Sequence, residues 1–214
     1  MKTKLNKDSR NLLIALLIGD GTISSNKVFK LSHGYKQKEY LEWKIDLLNK
    51  HGIKNNGLKS YTSKCGYNEG DLVYYSQLKI TNFIKLLRRI VYKPKKDYCN
   101  RKLLNRMNSL GVAIWFMDDG HINIRKTNDT VHGFYIKIST CLHTKEEAQI
   151  LIDYFKEKWG ISMYTFKERK KYYSIMCGTK EGIKFIDLIK KHVETCPSML
   201  YKINYDLSSR VRPV

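Results

Sequence analysis

Two apolar runs interrupt an otherwise polar and basic chain. The first, LLIALLIGDG, occupies residues 12–21; the second, GVAIWFMDDG, occupies residues 111–120. Each is apolar nearly all round, which predicts a helix buried between other elements. Each is also shorter than the roughly 20 residues needed to cross a bilayer. Ser9 and Ser109 lie just ahead of the runs, where a hydroxyl can cap a helix. Gly21 and Gly120 lie just past them, where a residue at positive φ can stop one. In the first copy Ala15 and Gly19 stand at i and i+4 and allow a close neighbour; Ile114 and Asp118 hold the matching places in the second. The runs end in acids, Asp20 and Asp119, separated by 99 residues in a chain of 214. That spacing predicts an internal duplication.

The pattern after each run repeats as well. Phe29 and Leu31 alternate with Val28, Lys30 and Ser32, the period of a strand with one polar face. Helical spacing follows through Leu41, Lys44, Ile45 and Leu48 and closes at Gly52. Two strand-like runs come next, at 57–63 and 72–80. In the second, Tyr75, Gln77 and Lys79 share one face, and Leu78 and Ile80 the other. A helix over 81–92 is stopped by Pro94, and a short basic helix leads to the second apolar run. Beyond that run, 121–140 reads as a hairpin in which Tyr135, Lys137 and Ser139 oppose Ile136 and Ile138. Thr144 and Glu147 form a capping-box pattern, and the helix they open closes at Gly160-Ile161 as its counterpart closes at Gly52-Ile53. A strand pair, a helix and Pro197 complete the repeat. The predicted fold class is α+β: two pseudo-symmetric αββαββα halves, residues 1–105 and 106–214, with antiparallel sheets, packed through the two central apolar helices.

Charge narrows the partner. Forty Lys and Arg face 20 Asp and Glu, a net +20 on 25.2 kDa. The excess is +15 over residues 1–110 and +5 over the remainder, so both halves are basic. A polyanion is the expected partner, and 42% hydrophobic residues exclude a disordered basic arm. Cys65, Cys99, Cys141, Cys177 and Cys196 are scattered and form no C-x-x-C pair, so neither a zinc site nor a disulfide framework is expected, and a reducing compartment fits. No signal or membrane-spanning run is expected, and the chain reads as intracellular, in an organelle or in a bacterial or phage cytoplasm.

An acid at the C-terminal end of an apolar helix adds to the negative end of the macrodipole. Two such acids at matching places call for a cation, and a divalent metal held by carboxylate and carbonyl oxygens answers that need. The plainer alternative is that both Asp-Gly pairs are turn residues. His121, directly after the second run, is a further candidate neighbour of such a site.

These runs resemble the two signature helices of the LAGLIDADG homing endonucleases in their monomeric, two-motif form. Residues 13–21 and 112–120 fill the nine motif positions. The sixth position, often acidic in the family, is Ile18 here and Met117 there; the eighth-position acids are kept. The resemblance implies a site-specific double-strand DNA endonuclease of intron or intein mobility, with Asp20 and Asp119 as catalytic metal ligands. It implies Mg²⁺ as the ion, with Mn²⁺ as a substitute, and the carbonyls of Gly19 and Asp118 can add ligands. The family's lysine after the last large helix of each half maps to Lys96 and Lys202. The expected partner is duplex DNA with a long asymmetric target, bound by a monomer without a membrane.

On such a fold the sheets form a saddle, and a β-ribbon fits the major groove. Lys30, Ser32, Lys59, Tyr61, Tyr75, Gln77 and Lys79 are the candidate DNA-binding residues of the first half. Arg125, Lys137, Ser139, Lys167 and Arg169 are those of the second. Each can equally belong to a solvated strand face. Two other functions stay open: an intron-encoded RNA maturase, and a non-catalytic DNA-binding protein on the same fold. Retention of both acids favours cleavage.

Overall fold

The computed structural model describes residues 5–64, 70–92, 97, 99–128, 130–142, 144–168 and 172–204. The chain separates into two compact units, Met1–Asp97 and Tyr98–Val214. The short helix α4 (Arg101–Leu104), expected to close the first half, lies in the second unit, where Arg101 pairs with Glu157.

The first unit runs α1 (Lys7–Ile18), β1 (Thr22–Ile23), β2 (Phe29–Gly34), α2 (Lys38–Lys50), β3 (Lys59–Thr62), β4 (Leu72–Leu78) and α3 (Asn82–Val91). The second runs α4, α5 (Ser109–Asp119), β5 (Gly120–Thr127), β6 (Thr130–Leu142), α6 (Lys145–Trp159), β7 (Tyr164–Glu168), β8 (Tyr172–Gly178) and α7 (Thr179–Val193). Each has one antiparallel four-stranded sheet, ordered β1-β2-β4-β3 and β5-β6-β8-β7. The fold is therefore α+β with the αββαββα plan twice over.

Both apolar runs are buried helices. From Leu12 to Ile18, and from Val112 to Met117, no side chain is more than 4% exposed. Their starts differ from the expected caps. Asn6 caps α1 by accepting from the Ser9 N–H, while the Ser9 hydroxyl donates to the His51 carbonyl. Asn108 caps α5 through the Gly111 N–H, and Ser109 instead meets His192. An amide oxygen one residue or more upstream outcompetes the serine.

The ends differ more instructively. Gly120 has φ −93°, and Gly21 is also outside the left-handed region, so neither stops its helix by positive φ. Both are glycine because a Cβ has no room. At Gly21 it would stand 2.3 Å from the Leu16 carbonyl oxygen, and at Gly120 2.0 Å from the Phe116 ring. The left-handed stop is used elsewhere, at Gly52 (φ 66°) and Gly160 (φ 65°), where α2 and α6 end. The capping box at Thr144 and Glu147 opens α6 as expected.

Strand alternation sets the sheet faces. In β2, Phe29, Leu31 and His33 are buried, and in β6, Ile136, Ile138 and Thr140 are. Ile80, expected on the apolar face of its strand, lies past the end of β4 and is 43% exposed. Among the described residues no helix is long and apolar enough to cross a membrane.

Candidate functional site

In the first unit α1 delivers Asp20 to a turn closed by two hydrogen bonds, from the Gly19 N–H to the Ala15 carbonyl and from the Gly21 N–H to the Leu16 carbonyl. The Asp20 carboxylate lies 3.7 Å from His33 Nδ1. His33 rises from the helix-packed face of β2. Its Nδ1 is 3.1 Å from Gln37 Oε1, and its Nε2 is 3.0 Å from the Nζ of Lys44 on α2.

The other face of this sheet gathers the expected set. Strand pairing puts Lys30 opposite Gln77, Ser32 opposite Tyr75, and Lys59 opposite Tyr75 from the far side. Tyr61 completes the row, with its ring 5.6 Å from that of Tyr75. The Lys30 ammonium is held over both rings, at 4.5 and 4.8 Å, and its Nζ is 3.4 Å from the Tyr61 hydroxyl. Lys79 is exposed just beyond β4. On α3 a separate open cleft of about 790 Å³ is lined by Lys27, Lys85, Arg88 and Arg89, which extends the positive surface of this unit.

In the second unit α5 ends on Asp119, with Asp118 before it. The Lys202 ammonium donates to the Gly120 carbonyl at 2.6 Å, so it sits against the backbone that follows the acid. His121, the next residue, pairs with Lys137 across the sheet. Burial holds the His121 imidazole below its usual range; nearby Lys137 and Lys202 add to this, against the pull of Glu168.

The polar face of this sheet is only partly as expected. Arg125 and Lys137 share it by alternation, with Ser139 half-buried further along β6. Lys167 does not: it pairs with Tyr173 and falls on the side of Ile175 and Thr165. Tyr164, Phe166 and Glu168 take the polar face instead. The Glu168 carboxylate accepts from Lys137 at 2.7 Å and from the Ser174 hydroxyl. Burial pushes the Glu168 carboxyl up, but those hydrogen bonds outweigh it and hold it below the usual carboxylate range. Lys96 and Arg169 lie outside the described residues.

His33, Lys44 and Glu168 were not among the expected site residues. A signal existed for two of them. His33 continues the apolar alternation of Phe29 and Leu31, and Lys44 sits in the apolar stripe of α2. A polar residue in a core register is the mark of a site or a buried network.

The α+β duplication with paired helix-end acids defines a class, and comparison with known proteins gives the family. The model of the LAGLIDADG DNA endonuclease family matches residues 10–185, and the chain belongs to that family. Among similar proteins, the probable intron-encoded endonuclease 1 of Wickerhamomyces canadensis is 27% identical over 96% of this chain and 87% of its own length. A protein of Mycolicibacterium flavescens named Protein RecA is 24% identical over 94% of this chain. The chain spans about half the length (47%) of that relative. The fold is that of the homing endonuclease I-WcaI solved with its DNA recognition sequence, with a TM-score of 0.78 at 21% identity, covering 95% of this chain and 89% of that one.

Proposed function

We propose that the protein is a site-specific endonuclease that cuts both strands of duplex DNA as a monomer, each half supplying one acid, Asp20 or Asp119. The observation that carries this reading is the acid at the tip of a buried helix, fixed by a glycine whose Cβ has no room, present once in each half of a DNA endonuclease family member. Asp20 and Asp119, with the carbonyls of Gly19 and Asp118, would hold a divalent ion. Hard carboxylate and carbonyl oxygens suit Mg²⁺, with Mn²⁺ as a substitute. When bound, such an ion offsets charge on the phosphate and makes a coordinated water more acidic.

The rest falls to the chain's own groups. Water adds to phosphorus, the bond to one deoxyribose oxygen breaks, and that oxygen leaves with a proton from solvent. Lys202, anchored on the Gly120 carbonyl, is placed to offset phosphate charge in the second half; Lys96 is the matching residue proposed for the first. The polar sheet faces orient the duplex: Lys30, Lys59 and Gln77 in the first half, Arg125 and Lys137 in the second. A long asymmetric target follows from two unlike faces, and cutting at such a site fits intron or intein mobility. The similar I-WcaI, solved on its own recognition sequence, supports this direction of binding.

The test is incubation of the protein with Mg²⁺ and a randomised duplex library, followed by sequencing of the cut ends. One long consensus, cut on both strands and lost when the metal is chelated, is expected. No cutting, or cutting indifferent to chelator, would contradict the proposal.

A further inference from the structure

Lys44 is fully buried, at 0% exposure, between Leu41, Ile45 and Leu48 on α2. An ammonium removed from water is costly unless it is partnered. Its Nζ lies 3.0 Å from His33 Nε2 and 4.2 Å from the centre of the Tyr40 ring. An ammonium only donates. His33 Nε2 must therefore accept, and the imidazole proton is placed on Nδ1. That nitrogen faces two oxygens, Gln37 Oε1 at 3.1 Å and Asp20 Oδ2 at 3.7 Å. The chain Lys44–His33–Asp20 thus runs from the core of the first unit to its acid, and Lys44 selects the tautomer that presents an N–H to the carboxylate.

The second half is built differently at the matching positions. Thr22 and His121 are the first residues after the two motifs, and they pair with Lys30 and Lys137. The same step along β2 and β6 aligns His33 with Thr140. The same step onto the next helix aligns Leu41, Lys44 and Leu48 with Ala148, Leu151 and Phe155, all of them buried. The Thr140 hydroxyl donates to the Tyr173 carbonyl, and Leu151 is apolar. No lysine–histidine pair stands at these positions.

We infer that His33 and Lys44 are positioning residues for Asp20 alone, so that the two strand cuts depend on different side chains. This rests on the reading that each acid serves one strand. Loss of the pair leaves an enzyme that nicks.

The experiment uses the full chain. Nitrogen-15 imidazole spectra of the metal-free protein report the His33 tautomer, and strand-labelled target reports the two cutting rates. Lys44→Met and His33→Ala are each expected to slow one strand about 10–100-fold, the usual cost of losing a group that orients a ligand. The other strand stays within about twofold, as does Leu151→Met on both strands. Lys44→Met also shifts His33 away from the pure Nδ1–H form. His33→Gln, whose amide can still donate toward Asp20, restores most of the slowed strand, and in that background Lys44→Met has no further effect. Equal slowing of both strands, an unchanged tautomer, or an undiminished Lys44→Met effect beside Gln at position 33 would each overturn the inference. If Lys44→Met does not fold, Lys44→Gln and the His33 variants give the same decision. If the wild-type protein cuts no DNA, the cleavage reading fails, and the inference falls with it even if the metal-free spectra show the Nδ1–H tautomer.

Discussion

The acid of the first half looks toward a histidine gripped by a buried lysine; the acid of the second stands beside a lysine that grips the next carbonyl. Asp20 meets His33, backed by Lys44 from within the core. Asp119 is followed by Gly120, whose carbonyl accepts from Lys202, and by His121 near Lys137 and Glu168. The backbone plan is common to both halves, down to glycines with no space for a Cβ after each acid. The side chains around the acids are not common. Duplication has kept what places the carboxylate and let the groups that orient it diverge. The two sheet faces diverge in the same way: Lys30 rests over two tyrosine rings, while Lys137 is paired with Glu168.

The strongest way to break this comparison is to remove one acid at a time. Asp20→Asn and Asp119→Asn are each expected to lower double-strand cutting about 10³-fold or more, in line with the loss of a group that stabilises transition-state charge. Duplex binding should be largely kept in gel-shift titrations. Full cutting by either variant would remove that acid from the chemistry.

The shared part of the comparison is tested by the glycines. Gly21→Ala and Gly120→Ala force a Cβ against the Leu16 carbonyl or the Phe116 ring and are expected to cost about 1–3 kcal/mol in denaturant unfolding. Gly34→Ala and Gly178→Ala, where a Cβ meets nothing within 4 Å, should be close to neutral. Equal effects at all four sites would show that the tight turns are not what holds the acids.

A smaller effect separates the halves by pH. Burial, aided by Lys191, holds the His192 imidazole below its usual range, and Ser109 Oγ lies 2.8 Å from its Nε2. Burial depresses His121 in the same direction. Below the ordinary imidazole pKa the unfolded chain binds protons that the folded one refuses. Stability of the second unit should therefore fall as pH drops through about 6.5. His192→Gln, which keeps a hydrogen bond to Ser109, should flatten that fall in thermal unfolding followed across pH. An unchanged slope would contradict the assignment.

Much of the plan is legible from alternation and helical spacing, because both are local. Phe29 and Leu31, Ile136 and Ile138, and the closures at Gly52 and Gly160 need no knowledge of the partner strand. What fails to read depends on distant pairing or on space. Lys167 is turned away because β7 takes its register from β8, which puts Phe166 and Glu168 beside Lys137. Gly21 and Gly120 read as turn formers, yet the decisive factor is the approach of Leu16 and Phe116. Asn6 displaces Ser9 as the cap by one hydrogen bond that spacing alone does not predict. The acids were plain in the sequence. Their neighbours were visible only as polar residues in core registers, His33 in β2 and Lys44 in α2.

The central claim is that each helix-end acid holds a divalent ion where DNA is cut. Anomalous diffraction from crystals of the protein on its target, grown with Mn²⁺, tests it most directly. The account predicts manganese peaks about 2.0–2.2 Å from carboxylate oxygens of both Asp20 and Asp119. Peaks bound elsewhere, with both carboxylates bare, would contradict it.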